Sequence, residues 1–155
     1  MVKTLVNNGA FNASKSGFSN YGKLFKAIAE EVGMTRALEL HGSVYTGYGH
    51  EFEEMFREQS LDEVGKSIGA MLESMGYETE ISLTEDCVVA NTRLCPEYEG
   101  FKEAGFDHEI IKKLCLGSVG SIDATLKKLG SSGGVRISKY RSDSDDYCIE
   151  EFKVK

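Results

Sequence analysis

The apolar positions change period several times along the chain, and each change predicts an element. Tyr21, Leu24, Phe25, Ile28 and Val32 recur at helical spacing from about Ser19, and Gly33 is placed to stop that helix. Thr35 can cap a second helix whose stripe runs through Leu38, His41, Tyr45, Tyr48, Phe52 and Phe56. Gly42, Gly47 and Gly49 lie inside it, each costing about 0.5–1 kcal/mol relative to Ala. They predict either a break near 47–49 or a thin face against another backbone or a ligand, and one helix with a kink is the favoured form. Ser60 and Glu63 make a capping box ahead of Val64, Ile68, Leu72 and Met75, with Gly76 as the stop.

The period then falls to two. Tyr77, Thr79, Ile81 and Leu83 alternate with Glu78, Glu80 and Ser82, a strand with one wet face. After a turn at Glu85-Asp86 the return strand puts Cys87, Val89, Asn91, Arg93 and Cys95 on one face, and Pro96, the only proline, ends it. A short loop is expected from Cys95 to Gly105. Asp107 can cap a long helix that carries Ile111, Leu114, Cys115, Ile122, Leu126 and Leu129 on its inner stripe. Two last strands, Val135 to Tyr140 and Tyr147 to Val154, flank an acidic turn.

That order, ααα-ββ-α-ββ, predicts an α+β fold: N-terminal helices packed on an antiparallel sheet of two hairpins joined by a long helix. Residues 1–15 are small and polar and read as a flexible N-terminal arm with an apolar contact through Leu5 and Val6. Residues 16–155 read as a single domain.

Charge and cysteine usage narrow the partners. The 18 Lys and Arg against 25 Asp and Glu give a net charge of −7, which argues against nucleic acid or an anionic membrane surface. No stretch approaches the ~20 apolar residues of a membrane span, and the N-terminus has no apolar signal segment. Four cysteines without clustering read as thiols of a reducing cytoplasm.

The candidate chemistry gathers on Cys95, Cys115 and Cys148, which come from a strand end, a helix and the last strand. Three readings stay open for them. They are small buried hydrophobes, converging thiolates on a metal, or a reactive thiol, for which Cys95 before its loop is the candidate. His41 on its apolar stripe is a core histidine or a general base, with Tyr45 and Tyr48 one and two turns on. Arg93, on the strand face of Cys95, either faces solvent or clamps a substrate carboxylate through two parallel hydrogen bonds. His50 and Glu54, four residues apart, could pair or share a metal.

The run Arg93-Leu94-Cys95-Pro96-Glu97-Tyr98-Glu99, then Gly105, Cys115, Asp146-Tyr147-Cys148-Ile149-Glu150 and Phe152, resembles the L-2-amino-thiazoline-4-carboxylic acid hydrolase-like family. The layout is also similar to the wider 4-vinyl-reductase, hydrocarbon-binding superfamily. The first resemblance implies hydrolytic ring opening of a small thiazoline or cyclic-amidine carboxylate. Cys95 would be nucleophile or metal ligand, His41 the base, and Arg93, Tyr45 and Tyr48 the substrate-binding groups. The second implies a zinc or an iron-containing centre held by Cys95, Cys115 and Cys148, and with it a non-enzymatic small-ligand or metal (zinc or iron–sulfur) sensor. A third class is an interaction subunit, since the glycines of the second helix suit a close homodimer contact.

Overall fold

The computed structural model describes the backbone of residues 2–3 and 7–154, and the side chains of all of these except positions 2, 3, 50, 51 and 55. The helices and antiparallel strands follow the expected α+β order, with differences that matter for the site. Helix α1 runs Asn8–Val32, started by the Asn7 side chain accepting from Ala10 N at 3.1 Å. The arm expected over residues 1–15 is therefore helix from Asn8 onward, while Val2–Lys3 forms edge strand β1. Leu5 and Val6 lie outside the described residues. Sequence propensity missed this start because the first turns of α1 are rich in Asn, Ser and Gly, and packing overrides propensity there. Gly22 and Gly100 are the reason: a Cβ on Gly22 would stand 2.8 Å from Ala104 Cβ, and one on Gly100 would stand 2.5 Å from Phe18 Cβ. The two bare glycines let α1 lie directly against α5 (Pro96–Glu103).

The second helix breaks rather than kinks. Helix α2 spans Met34–Gly47, a 3-10 turn spans Tyr48–Phe52, and the short α3 spans Glu53–Phe56. Gly49 sets the break, since its backbone approaches helix α7 (Gly120–Lys128) closely enough for Thr125 Oγ1 to donate to its carbonyl. Helix α4, Leu61–Ser74, has both halves of the Ser60–Glu63 capping box. The expected long helix divides into α6, His108–Ser118, and α7, with Val119 between them. Gly117 and Gly120 flank that division, and each weakens helix continuation.

Strands β2 (Glu78–Leu83), β3 (Cys87–Leu94), β4 (Gly134–Lys139) and β5 (Cys148–Lys153) join β1 in the order β1-β2-β3-β5-β4, every neighbour antiparallel. Their register lays three rows of side chains on the inner face. Leu83, Val88, Phe152 and Val135 make the first row. Ile81, Ala90, Glu150 and Ile137 make the second, and Thr79, Thr92 and Cys148 begin the third. Helix α4 covers β2 and β3, with Gly69 bringing it against Ile81. The opposite face, with Glu80, Asn91, Arg93, Arg136 and Glu151, is half-buried or exposed.

Two bulges sit at the third-row end. Thr92 pairs with Thr79 but Leu94 with Glu78, so Arg93 is an extra residue on β3. Ile137 pairs with Glu150 but Lys139 with Ile149, so Ser138 is extra on β4. An extra residue reverses the alternation beyond it. It turns Cys95 inward after Thr92, and Tyr140 inward after Ile137. None of the described helices is long and apolar enough to cross a membrane.

Candidate functional site

The inward turn at both bulges opens a cavity of about 210 Å³ between the inner sheet face and the helices. Its walls are mostly apolar: Phe18, Tyr45, Phe52, Met71 and Met75 from the helical side, Val119 and Ile122 from the break between α6 and α7. Cys95, Cys115 and Cys148 all border it, as do Tyr77, Tyr98 and Tyr140. Three sulfurs from three elements therefore meet one space, although none of the four cysteines is in a disulfide.

Cys95 is held as the N-cap of α5. Its Sγ accepts from Tyr98 N at 3.4 Å, and Pro96 occupies the first helical position, where a missing N–H costs nothing. Burial pushes the Cys95 thiol far up, with the Glu97 carboxyl adding to it. Burial also raises the Cys115 thiol, whose Sγ accepts from the Tyr140 hydroxyl at 3.7 Å. These two sulfurs are thiols at neutral pH. Among the described residues no three of His, Cys, Asp or Glu stand close enough to hold a metal ion together. The zinc or iron centre that the superfamily resemblance implies needs sulfurs converging at about 2.3 Å from one point.

The other expected site residues divide. Tyr45 lines the cavity, its ring 4.8 Å from that of His41. Tyr48 begins the 3-10 turn and is exposed, away from the cavity lining. Arg93 is exposed as well. It shares no face with Cys95, because the bulge falls between them. His41 is buried but does not line the cavity. Its Nε2 lies 2.8 Å from the Leu114 carbonyl, which can only accept, so Nε2 carries the proton. Burial lowers its pKa, leaving Nδ1 as an acceptor for the Tyr21 hydroxyl at 2.8 Å. Both ring nitrogens are thereby committed to tying α1, α2 and α6 together. His50, paired with Glu54 in the sequence reading, lies outside the described side chains.

Two residues that sequence reasoning passed over dominate the polar part of the cavity. Arg141 is only 1% exposed. Its Nη2 donates to the carbonyls of Thr92 at 3.0 Å and Arg93 at 2.7 Å, and its guanidinium carbon lies 5.1 Å from the Tyr98 ring centre. Its Nε and Nη1 have no hydrogen-bond partner among the described residues. A permanently charged group is thus buried beside the Cys148 side chain, with no carboxylate bonded to it among the described residues.

Glu97, in the first turn of α5, is the second. Its Oε2 accepts from the Tyr77 hydroxyl at 3.4 Å, and its Oε1 has no partner among the described residues. Burial, with Glu150 nearby, pushes its carboxyl up to about 8. Glu150, seated between Ala90 and Ile137 in the second row, is pushed up to about 7 by burial, against the pull of the Arg141 charge. No local signal marked Arg141. For Glu97 the Pro at the first helical position, followed by acidic residues in the first turn, is a helix-start signature that could have revealed α5 in place of a loop.

A scan of the chain against models of known protein families finds none that matches, and a search of curated proteins finds no relative.

Proposed function

We propose that this protein binds a small, largely apolar organic anion, most simply a carboxylate, in the cavity bordered by Cys95, Cys115 and Cys148, with Arg141 as its counter-charge. One observation carries the reading: Arg141 is buried and permanently charged, and among the described residues it has no bonded carboxylate and two of its N–H-bearing nitrogens, Nε and Nη1, have no hydrogen-bond partner. An isolated buried charge is costly, and native structures pair it. Of the two cysteines beside the guanidinium, Cys148 lies within hydrogen-bond reach, and Cys95 is kept protonated by burial and does not balance the charge. A guanidinium with two free donors matches a carboxylate in fork geometry, and the apolar walls match the rest of such a molecule.

Ring-opening hydrolysis of a thiazoline or cyclic-amidine carboxylate would share this clamp, with Arg141 taking the role first given to Arg93. It would need a deprotonated nucleophile and a free base. Burial keeps the Cys95 thiol protonated, and His41 has both nitrogens committed, so the reading as a binding domain has the better support. The thiol content suits a reducing, cytoplasmic setting.

The test is isothermal titration with a panel of aryl and alkyl carboxylates and their methyl esters. Micromolar binding of an acid that its ester lacks, abolished in Arg141→Gln, is the expected result. Esters binding as well as acids would sink the proposal.

A further inference from the structure

A second polar anchor in the cavity is left over once Arg141 has been matched to an acid group. We propose that the occupant carries, at the end away from its carboxylate, an uncharged carbonyl oxygen that accepts a hydrogen bond from Glu97, which makes it an apolar oxo-acid. The inference rests on the proposed binding of a carboxylate at Arg141.

The geometry separates the two anchors by element. Arg141 follows β4 and is tied to the bulge carbonyls of β3, on the sheet side. Glu97 belongs to the first turn of α5 and borders the same cavity, with 8% of its surface exposed. Its Oε2 accepts from Tyr77 and the Ser118 hydroxyl lies beside the carboxyl, yet Oε1 has no hydrogen-bond partner among the described residues. A buried carboxyl oxygen without a partner is a feature native folds rarely keep without a reason. The other titratable and charged groups facing Glu97 are Glu150, Cys95, Cys115, the nearby phenol of Tyr77 and the phenols of Tyr21 and Tyr45. None of these brings a positive charge. A carboxyl among an acid, thiols and phenols holds its proton, and a held proton on an unpartnered oxygen is a hydrogen-bond donor. The complement is an acceptor oxygen, and Ile122 and Phe152 supply apolar wall for the body of the molecule.

The experiment is titration of the full chain with three probes of one skeleton: γ-phenylbutyrate, benzoylpropionate and γ-amino-γ-phenylbutyrate. They differ only in carrying nothing, a keto oxygen or an ammonium at the same carbon. The expected result is benzoylpropionate binding about tenfold more tightly than phenylbutyrate, as one satisfied buried hydrogen bond provides. That preference should persist in Glu97→Gln, whose amide still donates, and vanish in Glu97→Ala. Equal affinity of the keto and plain acids in wild-type protein overturns the inference while leaving the carboxylate reading intact. So does a preference for the ammonium probe, which would make Glu97 an anionic anchor. Failure of all three probes and of the wider acid panel overturns the carboxylate reading itself.

Discussion

Arg141 closes the bulge at Arg93: its Nη2 donates to the Arg93 carbonyl at 2.7 Å and to the Thr92 carbonyl beside it at 3.0 Å. The same residue holds the strand end in shape and presents the unpaired charge of the cavity. Structure and recognition are therefore coupled in one side chain, and Arg141→Lys separates them. A lysine keeps the charge but cannot serve two carbonyls and an anion from one planar fork. Carboxylate affinity should fall about tenfold or more in that variant, read by titration calorimetry. Stability should fall by roughly 1–3 kcal/mol, read by urea unfolding.

The carboxyls of Glu97 and Glu150 carry a pH signature. Their folded values, about 8 and about 7, lie above the ordinary value of 4.5. A raised folded value means that folding favours the protonated form. Their contribution is full below pH 4.5 and is lost as pH rises through about 7 and 8. Glu97→Gln has no proton to lose. The variant should gain on wild type by about 1–3 kcal/mol between pH 5 and pH 9 in paired urea titrations. A constant difference across that range would mean that Glu97 is ionised throughout.

His41 gives the opposite sign. Its folded value is depressed below the ordinary 6.5, chiefly by burial, so the neutral ring is the folded form. Its contribution is present above pH 6.5 and is lost as pH falls below it. Nitrogen-15 NMR should find a neutral, Nε2-protonated ring at pH 6. A ring half-charged at pH 6.5 would contradict the lowering of its pKa by burial.

Gly100→Ala tests the contact that the polar first half of α1 depends on. The added methyl would stand 2.5 Å from Phe18 Cβ and 2.6 Å from the Lys15 carbonyl, both on the facing helix. The expected loss is about 1–3 kcal/mol in urea unfolding, with amide exchange accelerated over the first turns of α1. Wild-type stability in this variant would mean the two helices can part without penalty.

Most of the architecture was legible because it rests on short-range signals. The Ser60–Glu63 box, the stop at Gly76 and the alternation of residues 77–83 each need only neighbouring residues to act. What escaped reading needed a partner far along the chain. Asn8–Lys15 is helical because α5 brings Gly100 to it, and the break at Tyr48 depends on Thr125. Arg93 and Cys95 were assigned one face on a strict period of two, which the bulge interrupts. Convergence of the three sulfurs on one cavity was visible only as a suspicion of three thiols. Arg141 was not visible at all, because an arginine beside an acidic turn has the sequence character of a solvated residue.

The placement of both bulges at one end of the sheet has a consequence for change over time. Val88, Ala90 and Ile81 lie before the reversals of alternation and off the cavity, whereas Cys95, beyond Thr92, and Tyr140, beyond Ile137, lie after them and border it. A substitution at Cys95 or Tyr140 alters what the cavity accepts while these apolar residues keep their neighbours. At Cys95 and Tyr140, though not at Arg141 or Phe152, which serve both, selectivity can therefore drift without the scaffold, so that relatives of one shape need not share an occupant.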